Sequence, residues 1–442
     1  MKARKTIVLG AGLIGVIVLC LLFIPRRPYL ARQTLSDGTT LTLVAVKAGQ
    51  KHEPPVATFK QKLAARLPAS WRARFKLATP LSTFSPYSSN YLSVWLTAER
   101  TNAAGPPRFR VLIGDDQDNF CIHLEQYPES TVSTPLGSNA WLVGLPATAW
   151  PRRAETIRIQ VYTASRDPMF RPGYGDQMLA EFRVKNPGRD TTTPAWTAPP
   201  WPITVRDGEL DFTLTSLWLG LEPFGAHMDP RLSPLQDPSR RWTRATFRVT
   251  RGDEVLTNWN AYRVREIVDA TGNWADGNEY LSLIRDGEAM NHFKQQPLPA
   301  GEAWRMTVEF ARVSGFSAEE LRTVTGIPLP PAGQGSVTKN LGTNLLKVSW
   351  ERRLTEDNPL IFRATVYPVP SDHILTLVRA TDNLGRALKF KNVGGDGGVV
   401  FVAFEELNLA PNATSVDLVF ALHRNRLVKF QVKPEFYRRL PK

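Results

Sequence analysis

Leu179–Lys185 reads LAEFRVK, and Leu427–Lys433 reads LVKFQVK, so one strand-like phrase occurs twice in the chain. Apolar and polar side chains alternate in both copies with a period of two, which is typical of a strand with one buried face. An alternating segment lies upstream of each copy, at Ile157–Tyr162 and at Val416–Phe420. A third segment of the same kind spans Trp304–Phe310, so the chain makes three passes of one strand pattern.

Each pass also contains a strand that ends in a turn rich in Asp, Asn and Gly, at 109–119, 264–273 and 375–385. Alternating strands with such turns at short intervals are the signature of antiparallel sandwiches. We therefore predict a mainly β protein with three tandem antiparallel β-sandwich domains. Their predicted ranges are 35–188, 200–331 and 335–435.

The Pro-rich segment 189–202 is expected to link the first two domains, because proline has no amide hydrogen to donate to a strand ladder. The three units resemble the immunoglobulin-like class of sandwiches in their strand and turn pattern. The paired cysteines and core tryptophan of true immunoglobulin domains are missing, so the resemblance implies the architecture and not the family. The chain has only two cysteines, Cys20 and Cys121, which provide no disulfide framework.

An apolar stretch, Ile7–Ile24, precedes the strand-rich part and carries no charged side chain. A helix of this length rises about 1.5 Å per residue and nearly crosses a hydrocarbon layer of ~30 Å. The basic residues in 1–6 and the lack of a small-residue cleavage site favour an uncleaved signal-anchor over a cleaved signal peptide or a lipoprotein signal at Cys20. A buried helix of a soluble domain would show a polar face, which this stretch lacks. The residues that mark the predicted span are Ile7, Leu13, Val18 and Ile24.

We therefore expect a single-pass membrane protein with residues 1–6 in the cytoplasm and the bulk of the chain outside it.

The segment 56–77 has apolar residues at four-residue spacing and many basic ones, and is interpreted as a helical insertion in the first sandwich. Contact of this segment with an anionic membrane surface is the alternative. Residues 436–442 are interpreted as a basic tail.

The formal net charge of +14 suggests nucleic-acid binding until the charge is located. Residues 1–32 hold six basic side chains and no acidic one, and 423–442 hold seven basic residues against one acidic. The remainder is nearly neutral, whereas a nucleic-acid-binding domain would carry a basic stripe on its own surface. Nucleic acid is therefore excluded from the expected partners.

No local run of residues predicts a catalytic or cofactor-binding site. The six histidines are scattered without the spacing of a zinc site. The chain contains no nucleophile elbow, phosphate-binding loop or dinucleotide fingerprint. We therefore predict no catalytic residues and no cofactor.

The turn in the first pass offers oxygen atoms that Ca²⁺ could accept as ligands. These candidate ligands are Asp115, Asp116, Asp118 and Asn119. Aspartate and asparagine are also what a tight turn requires, because they bond their own backbone. The turn interpretation is favoured, and no metal is predicted.

Three tryptophans lie beside the Pro-rich link or just after a turn, namely Trp196, Trp201 and Trp274. Exposed aromatic side chains there would stack on sugars or hold a partner, and the alternative is that they pack the joint between domains.

The predicted function is a membrane-anchored, non-catalytic binding or structural protein of the cell envelope. Its expected partners are the lipid bilayer and an envelope protein or polysaccharide. The alternative is an anchored hydrolase that acts on an envelope or extracellular polysaccharide, with dispersed acidic residues of the first domain as catalysts.

Overall fold

The structure is a computed structural model, which describes part of the chain. The described residues are 30–49, 91–100, 109–117, 120–121, 132–136, 139–147, 149–163, 178–220, 242–276, 279–285, 288–293, 302–328, 333–341, 344–352, 360–370, 372–396, 398–404, 412–433 and 436–437. The predicted span 7–24, the predicted insertion 56–77 and the calcium candidates Asp118 and Asn119 lie outside these residues.

The prediction of a mainly β protein is confirmed, because every regular element in the described residues is a strand. In that same part of the chain, no helix is both long and apolar enough to cross a membrane. The chain divides into two compact units, Met1–Thr192 and Thr193–Lys442.

The first unit contains nine strands in its described residues. They are β1 (Ala31–Thr34), β2 (Thr40–Gly49), β3 (Tyr91–Glu99), β4 (Phe109–Gly114), β5 (Phe120–Cys121), β6 (Val132–Pro135), β7 (Ala140–Ala147), β8 (Thr156–Thr163) and β9 (Met178–Lys185). One antiparallel sheet has the order β1-β2-β3-β7-β6, and the other has the order β5-β4-β8-β9.

The two sheets of the first unit enclose one apolar core, which we call the first sandwich. One face of β3 contributes Leu92, Val94 and Leu96, while β8 of the other sheet contributes Ile157 and Ile159. These residues alternate along their strands with side chains of the opposite face, as a period of two requires. The alternation recognised in the sequence therefore places the buried residues correctly.

The second unit contains nineteen strands in its described residues. They are β10 (Ile203–Asp207), β11 (Leu210–Gly220), β12 (Trp242–Arg251), β13 (Glu254–Val255), β14 (Trp259–Asp269), β15 (Trp274–Asp276), β16 (Glu279–Arg285), β17 (Glu288–Phe293), β18 (Trp304–Arg312), β19 (Leu321–Pro328), β20 (Gly333–Leu341), β21 (Asn344–Arg352), β22 (Leu360–Tyr367), β23 (His373–Asp382), β24 (Phe390–Asp396), β25 (Val399–Phe404), β26 (Ser415–Arg424), β27 (Arg426–Val432) and β28 (Phe436–Tyr437).

These strands form two further pairs of sheets. The second sandwich has β10-β11-β12-β17-β16 in one sheet and β15-β14-β18-β27 in the other, with β13 and β28 added to the first of these. The third sandwich has β20-β21-β22-β25-β24 and β19-β26-β23. Each pair of sheets encloses its own apolar core.

The second and third sandwiches exchange one strand each. The expected ranges 200–331 and 335–435 assign β19 to the second sandwich and β27 to the third, whereas the hydrogen bonds pair β27 with β18 and β19 with β26. In the first sandwich the corresponding strand, β9, pairs with β8, which precedes it in the chain. With the exchange, β15-β14-β18-β27 has the order of β5-β4-β8-β9, while β23-β26-β19 matches β4-β8-β9 and has no counterpart of β5 in the described residues.

The register of the exchanged strands matches that of the first sandwich. Phe182 of β9 lies opposite Ile159 of β8. Phe430 of β27 lies opposite Met306 of β18 in the same position of the second sandwich. The two copies of the phrase recognised in the sequence therefore fill equivalent places in two different sandwiches.

The length of one connection explains the exchange. A single residue, Asn425, separates the end of β26 from the start of β27. The tightest common hairpin needs a loop of two residues, so β27 has no room to fold back onto β26. It continues instead into the sheet of β18, and the vacant edge of β26 is paired by β19.

We predict that Phe430→Ala destabilises the second sandwich by about 3–5 kcal/mol, the range for removing a buried phenylalanine. Phe430 is fully buried and its ring lies 5.6 Å from that of Phe247 and 6.3 Å from that of Phe310. Hydrogen exchange of the full chain should show lost protection first in β14 and β18. Leu427→Ala is the control on the same strand, because Leu427 is 50% exposed. Loss of protection confined to β23 and β26 would contradict the exchange.

Candidate functional site: an arginine-lined cleft at the strand crossover

Two short segments carry the chain between the second and third sandwiches. The first crossover, 313–320, joins β18 to β19, and the second crossover is Asn425. The backbone N–H of Asn425 donates to the carbonyl oxygen of Asp372, and that of Leu422 donates to the carbonyl oxygen of Glu320. The ends of both crossovers are therefore held by backbone hydrogen bonds within the second unit.

A buried carboxylate, Glu309 of β18, anchors the second crossover. It is fully buried, and its Oε2 lies 2.7 Å from Nε of Arg263 and 2.6 Å from Nε of Arg265. The side-chain amide of Asn425 donates to the other oxygen, Oε1. A buried charge is tolerated when it is paired and hydrogen-bonded on both oxygens, which is the arrangement here.

Two bulges in β14 bring the arginines to this carboxylate. The register of β14 against β18 shifts between Ala261 and Arg263 and again between Val264 and Glu266. A bulge inserts an extra residue and redirects the following side chains. Arg263 and Arg265 lie in this irregular stretch of β14, and both reach Glu309.

A histidine is buried at the end of β26, next to the first crossover. The Nε2 atom of His423 lies 3.1 Å from Oγ1 of Thr376, and its ring lies 4.8 Å from that of Phe316. Burial, and after it the positive charge of Arg312, lowers the pKa of His423 from 6.5 to about 4. Glu320 opposes this shift, while the nearby His373 adds to it. The imidazole is therefore neutral at physiological pH.

A cleft of about 580 Å³ lies where the crossovers meet one end of the second sandwich. Its lining combines the hairpin ends of β10–β11 and β12–β13, the start of β14, and residues of both crossovers with their flanks. The lining residues are Glu209, Arg251, Glu254, Val255, Leu256, Thr257, Asn258, Trp259, Arg312, Gly315, Arg424 and Arg426. Four guanidinium groups thus face two carboxylates.

Three of the four arginines have acidic partners. Arg312 donates to Glu320 and to the carbonyl oxygen of Gly315. Nε of Arg424 lies 2.8 Å from Oδ2 of Asp372.

The third pair joins Arg426 to Asp207, with 3.3 Å between Nη1 and Oδ2. For the fourth arginine, Arg251, the described residues supply no ion pair. With Glu209 and Glu254 in the lining, positive and negative groups are nearly balanced around the cleft.

Guanidinium groups and carboxylates both line the cleft, so it suits a partner that presents charged groups of both signs. Guanidinium presents its N–H groups in a fixed fork that matches a carboxylate. The four arginines are terminal residues of strands, so the elements that carry them are fixed before a ligand arrives. In chemical terms the cleft is a candidate binding site for a partner with charged groups.

The tryptophans predicted to bind a partner lie elsewhere. The guanidinium of Arg305 lies 4.4 Å from the ring centre of Trp196. Trp201 packs against the core of the second sandwich, and its Nε1 donates to the carbonyl oxygen of Lys433 at 3.3 Å. Trp274 begins β15 and is 38% exposed. None of the three lines the cleft, and their role in binding stays a prediction.

The acidic turns bond their own backbones. Asp115 accepts from the backbone N–H of Gln117 at 2.8 Å, and the exposed Asp116 lies 3.6 Å from Arg183. In the second sandwich, Asp269 accepts from both Thr271 and Asn273. These are the bonds of a local turn. Within the described residues, no group of three or more His, Cys, Asp or Glu side chains could hold a metal ion.

Glu181, an acidic residue of β9 in the first sandwich, is part of an ion pair. Glu181 accepts from Arg158 at 2.7 Å and from Gln160 at 2.9 Å. The bond from Arg158 holds the pKa of Glu181 below its usual value. A general acid in glycoside hydrolysis needs the opposite shift, so Glu181 is unsuited to that role.

Sequence reasoning missed the cleft, because its arginines are far apart in the chain. The charge distribution of the sequence places Arg424 and Arg426 in a basic chain end, whereas the structure places them on either side of a crossover. The only local signal is the Arg-Asn-Arg triplet between two alternating strands, which leaves no room for a hairpin turn.

Comparisons of the chain with protein-family models, with curated proteins and with solved structures found no match. The function is therefore argued from the cleft and the strand order alone.

We predict that Glu309→Gln lowers the free energy of unfolding of the second unit by about 3 kcal/mol. This is the lower end of the range for breaking a buried pair, because both guanidinium groups keep some contact with solvent. Thermal and urea unfolding of the full chain would measure the loss. Glu288→Gln is the matched control, since its pair with Arg248 is solvent-exposed and its loss should change stability by less than about 0.5 kcal/mol. Equal effects of the two substitutions would show that Glu309 has no special role.

The buried His423 predicts a pH-dependent stability. Its folded-state pKa lies below its unfolded value, so the unfolded chain binds more protons between pH 6.5 and 4. The contribution of His423 to the free energy of unfolding is fully present above pH 6.5 and is lost as the pH falls toward 4. At ~1.4 kcal/mol per pKa unit, the loss amounts to up to about 3 kcal/mol. In His423→Gln, the difference in stability from the parent protein should shrink through this window. A difference that stays constant with pH would contradict the role of the imidazole.

Proposed function

We propose that this chain is a single-pass, membrane-anchored, non-catalytic binding protein of the cell envelope, which holds a partner with charged groups in the arginine-lined cleft. The observation that carries the proposal is the cleft itself. Four arginines from separate elements converge there, and two of them flank the crossover that joins two sandwiches. The partner is an envelope protein or polysaccharide.

The architecture supports a role in binding. The orders β2-β3-β7-β6 and β5-β4-β8-β9 match the ABED and C′CFG sheets of an immunoglobulin-like sandwich, with β1 as an additional edge strand. We propose that all three sandwiches are immunoglobulin-like on this ground. Such a fold hosts many functions, so the function is argued from the cleft and not from the fold.

The anchor is supported by the sequence. Ile7–Ile24 has the length and composition of a spanning helix, and basic residues precede it. The sandwiches would then stand outside the cytoplasm, where a cleft of this kind can meet an envelope component.

One observation favours the alternative of a polysaccharide hydrolase. Glu209 and Glu254 line the same cleft, and glycoside hydrolysis requires two carboxyl groups. Both are exposed to solvent, whereas a general acid is normally kept protonated by burial. Binding is therefore the function that the site supports better. Turnover of a polysaccharide that is lost in Glu254→Gln would favour the hydrolase instead.

We predict that the full chain stays in the membrane pellet after extraction at alkaline pH, because an apolar helix of this length is inserted in the hydrocarbon layer. A variant with Leu13→Lys and Val18→Lys should move to the soluble fraction, since each central charge costs about 2.5–3.5 kcal/mol on insertion. Protease added outside intact cells should digest the sandwiches of the anchored protein.

Two results would contradict the anchor. One is a parent protein that is released at alkaline pH as readily as the double variant. The other is a mature protein whose amino-terminal sequence begins after Ile24, which would indicate a cleaved signal peptide.

A further inference from the structure

We infer that the sheet β15-β14-β18-β27 binds a neutral glycan chain on its outer face, the face that points away from the apolar core. The sugar rings stack on Trp274 and Trp196. This glycan site is separate from the cleft. Trp259, at the start of β14, lines the cleft, whereas Trp274 pairs with the other end of that strand. The two sites therefore lie at opposite ends of β14.

The strand register places Trp274 and Arg305 on the same face. Both are register partners of Val268, Trp274 from β15 and Arg305 from β18. Partners in an antiparallel pair point to the same side of the sheet. Ile267, the neighbour of Val268, belongs to the apolar core, so Val268 and its two partners point away from that core. The Cα atoms of Trp274 and Arg305 are then about 10 Å apart, which is two strand spacings.

Trp196 of the Pro-rich segment lies on this face as well. The centre of its ring is 4.4 Å from the guanidinium of Arg305. The backbone carbonyl oxygen of the next residue, Thr197, accepts a hydrogen bond of 2.6 Å from the side-chain amide of Gln431. Gln431 is the register partner of Arg305 on β27. The segment is thus bonded to the sheet beside Trp196, and the two tryptophans lie on one surface.

A buried turn holds Trp274 in place. Asp269 is 7% exposed, and it accepts from the backbone N–H of Asn273 at 3.0 Å and from the side-chain amide of Asn273 at 2.7 Å. Trp274 follows directly and begins β15. Its side chain is nevertheless 38% exposed, although tryptophan is on average a highly buried residue. An exposed indole on a fixed element binds a ligand without the cost of being ordered first.

The groups around the two tryptophans suit a glycan. A sugar ring has an apolar face of C–H groups that packs on an aromatic ring, and its hydroxyl groups both donate and accept hydrogen bonds. The outer face carries one carboxylate, Glu266, and two exposed cationic side chains, Arg305 and Lys429. Hydroxyl groups can pair with both kinds, so a neutral ligand needs no surplus of either charge. A chain with equatorial links is flat and extended, which fits a sheet whose register is regular from Glu266 to Asp269.

The test uses the full-length chain in a detergent without sugar headgroups and isothermal titration calorimetry. The probes are cellohexaose and the hexamer of N-acetylglucosamine, which are neutral chains with equatorial links. Maltohexaose is the control ligand, because its axial links coil the chain. Each titration is repeated at raised salt.

We expect at least one of the two flat probes to bind, and maltohexaose to bind at least about tenfold more weakly. Raised salt should leave the binding unchanged, since the probes carry no charge. Trp274→Ala and Trp196→Ala should each weaken binding about tenfold, the loss of one stacked ring, and Trp274→Phe should retain most of it. Tyr367→Ala is the matched control and should bind like the parent protein, because Tyr367 is an aromatic residue, 73% exposed, on β22 of the third sandwich. The thermal unfolding of each variant shows that it is folded.

Three outcomes would overturn the inference, and none of them affects the proposed role of the cleft. Binding that survives both tryptophan substitutions, or that is lost in Tyr367→Ala, would locate the glycan site elsewhere on the protein. Equal binding of maltohexaose would contradict recognition of a flat chain. Absence of binding of all three probes to the folded parent protein would show that this face is not a glycan site.

Discussion

The structure of the second unit depends on one constraint, the single residue between β26 and β27. Asn425 leaves too little chain for a hairpin, so the last long strand must pair with a sheet other than its predecessor's. The first sandwich shows the unconstrained case, because 164–177 separates β8 from β9 and allows the strand to return to the same sheet. One connection length therefore decides whether a repeat closes on itself or exchanges a strand with its neighbour.

The exchange creates a buried polar joint that the first sandwich does not need. Where β26 passes into β27, the backbone and side chain of Asn425 must find partners. The carboxylate of Glu309 accepts from its amide, and two arginines neutralise that carboxylate. The carboxylate is thus hydrogen-bonded on both oxygens, which makes burial of its charge tolerable.

The sequence predicted the repeats because their signal is local. The alternation of Trp304–Phe310 is visible in any short window, and so is the similarity of Leu179–Lys185 to Leu427–Lys433. The partner of each edge strand was not visible, because equivalent strands carry the same pattern and would fit equivalent sheets. The missing information was a connection length, which is present in the sequence but has meaning only once the strand ends are known. The cleft could not be predicted for a related reason. Arg251 and Arg426 line the same cleft only because β27 pairs with β18.

The position of the cleft follows from the same constraint. The strand ends beside both crossovers contribute to its lining, through Arg312 on one side and through Arg424 and Arg426 on the other. Neither crossover can move freely, because each is continuous with a strand in two sandwiches. A ligand that binds there meets groups already held in place, so the ordering that association normally requires falls mainly on the ligand. The short connection requires the strand exchange, and the exchange brings the charged strand ends together in one cleft. Two independently closed sandwiches would not place these ends side by side.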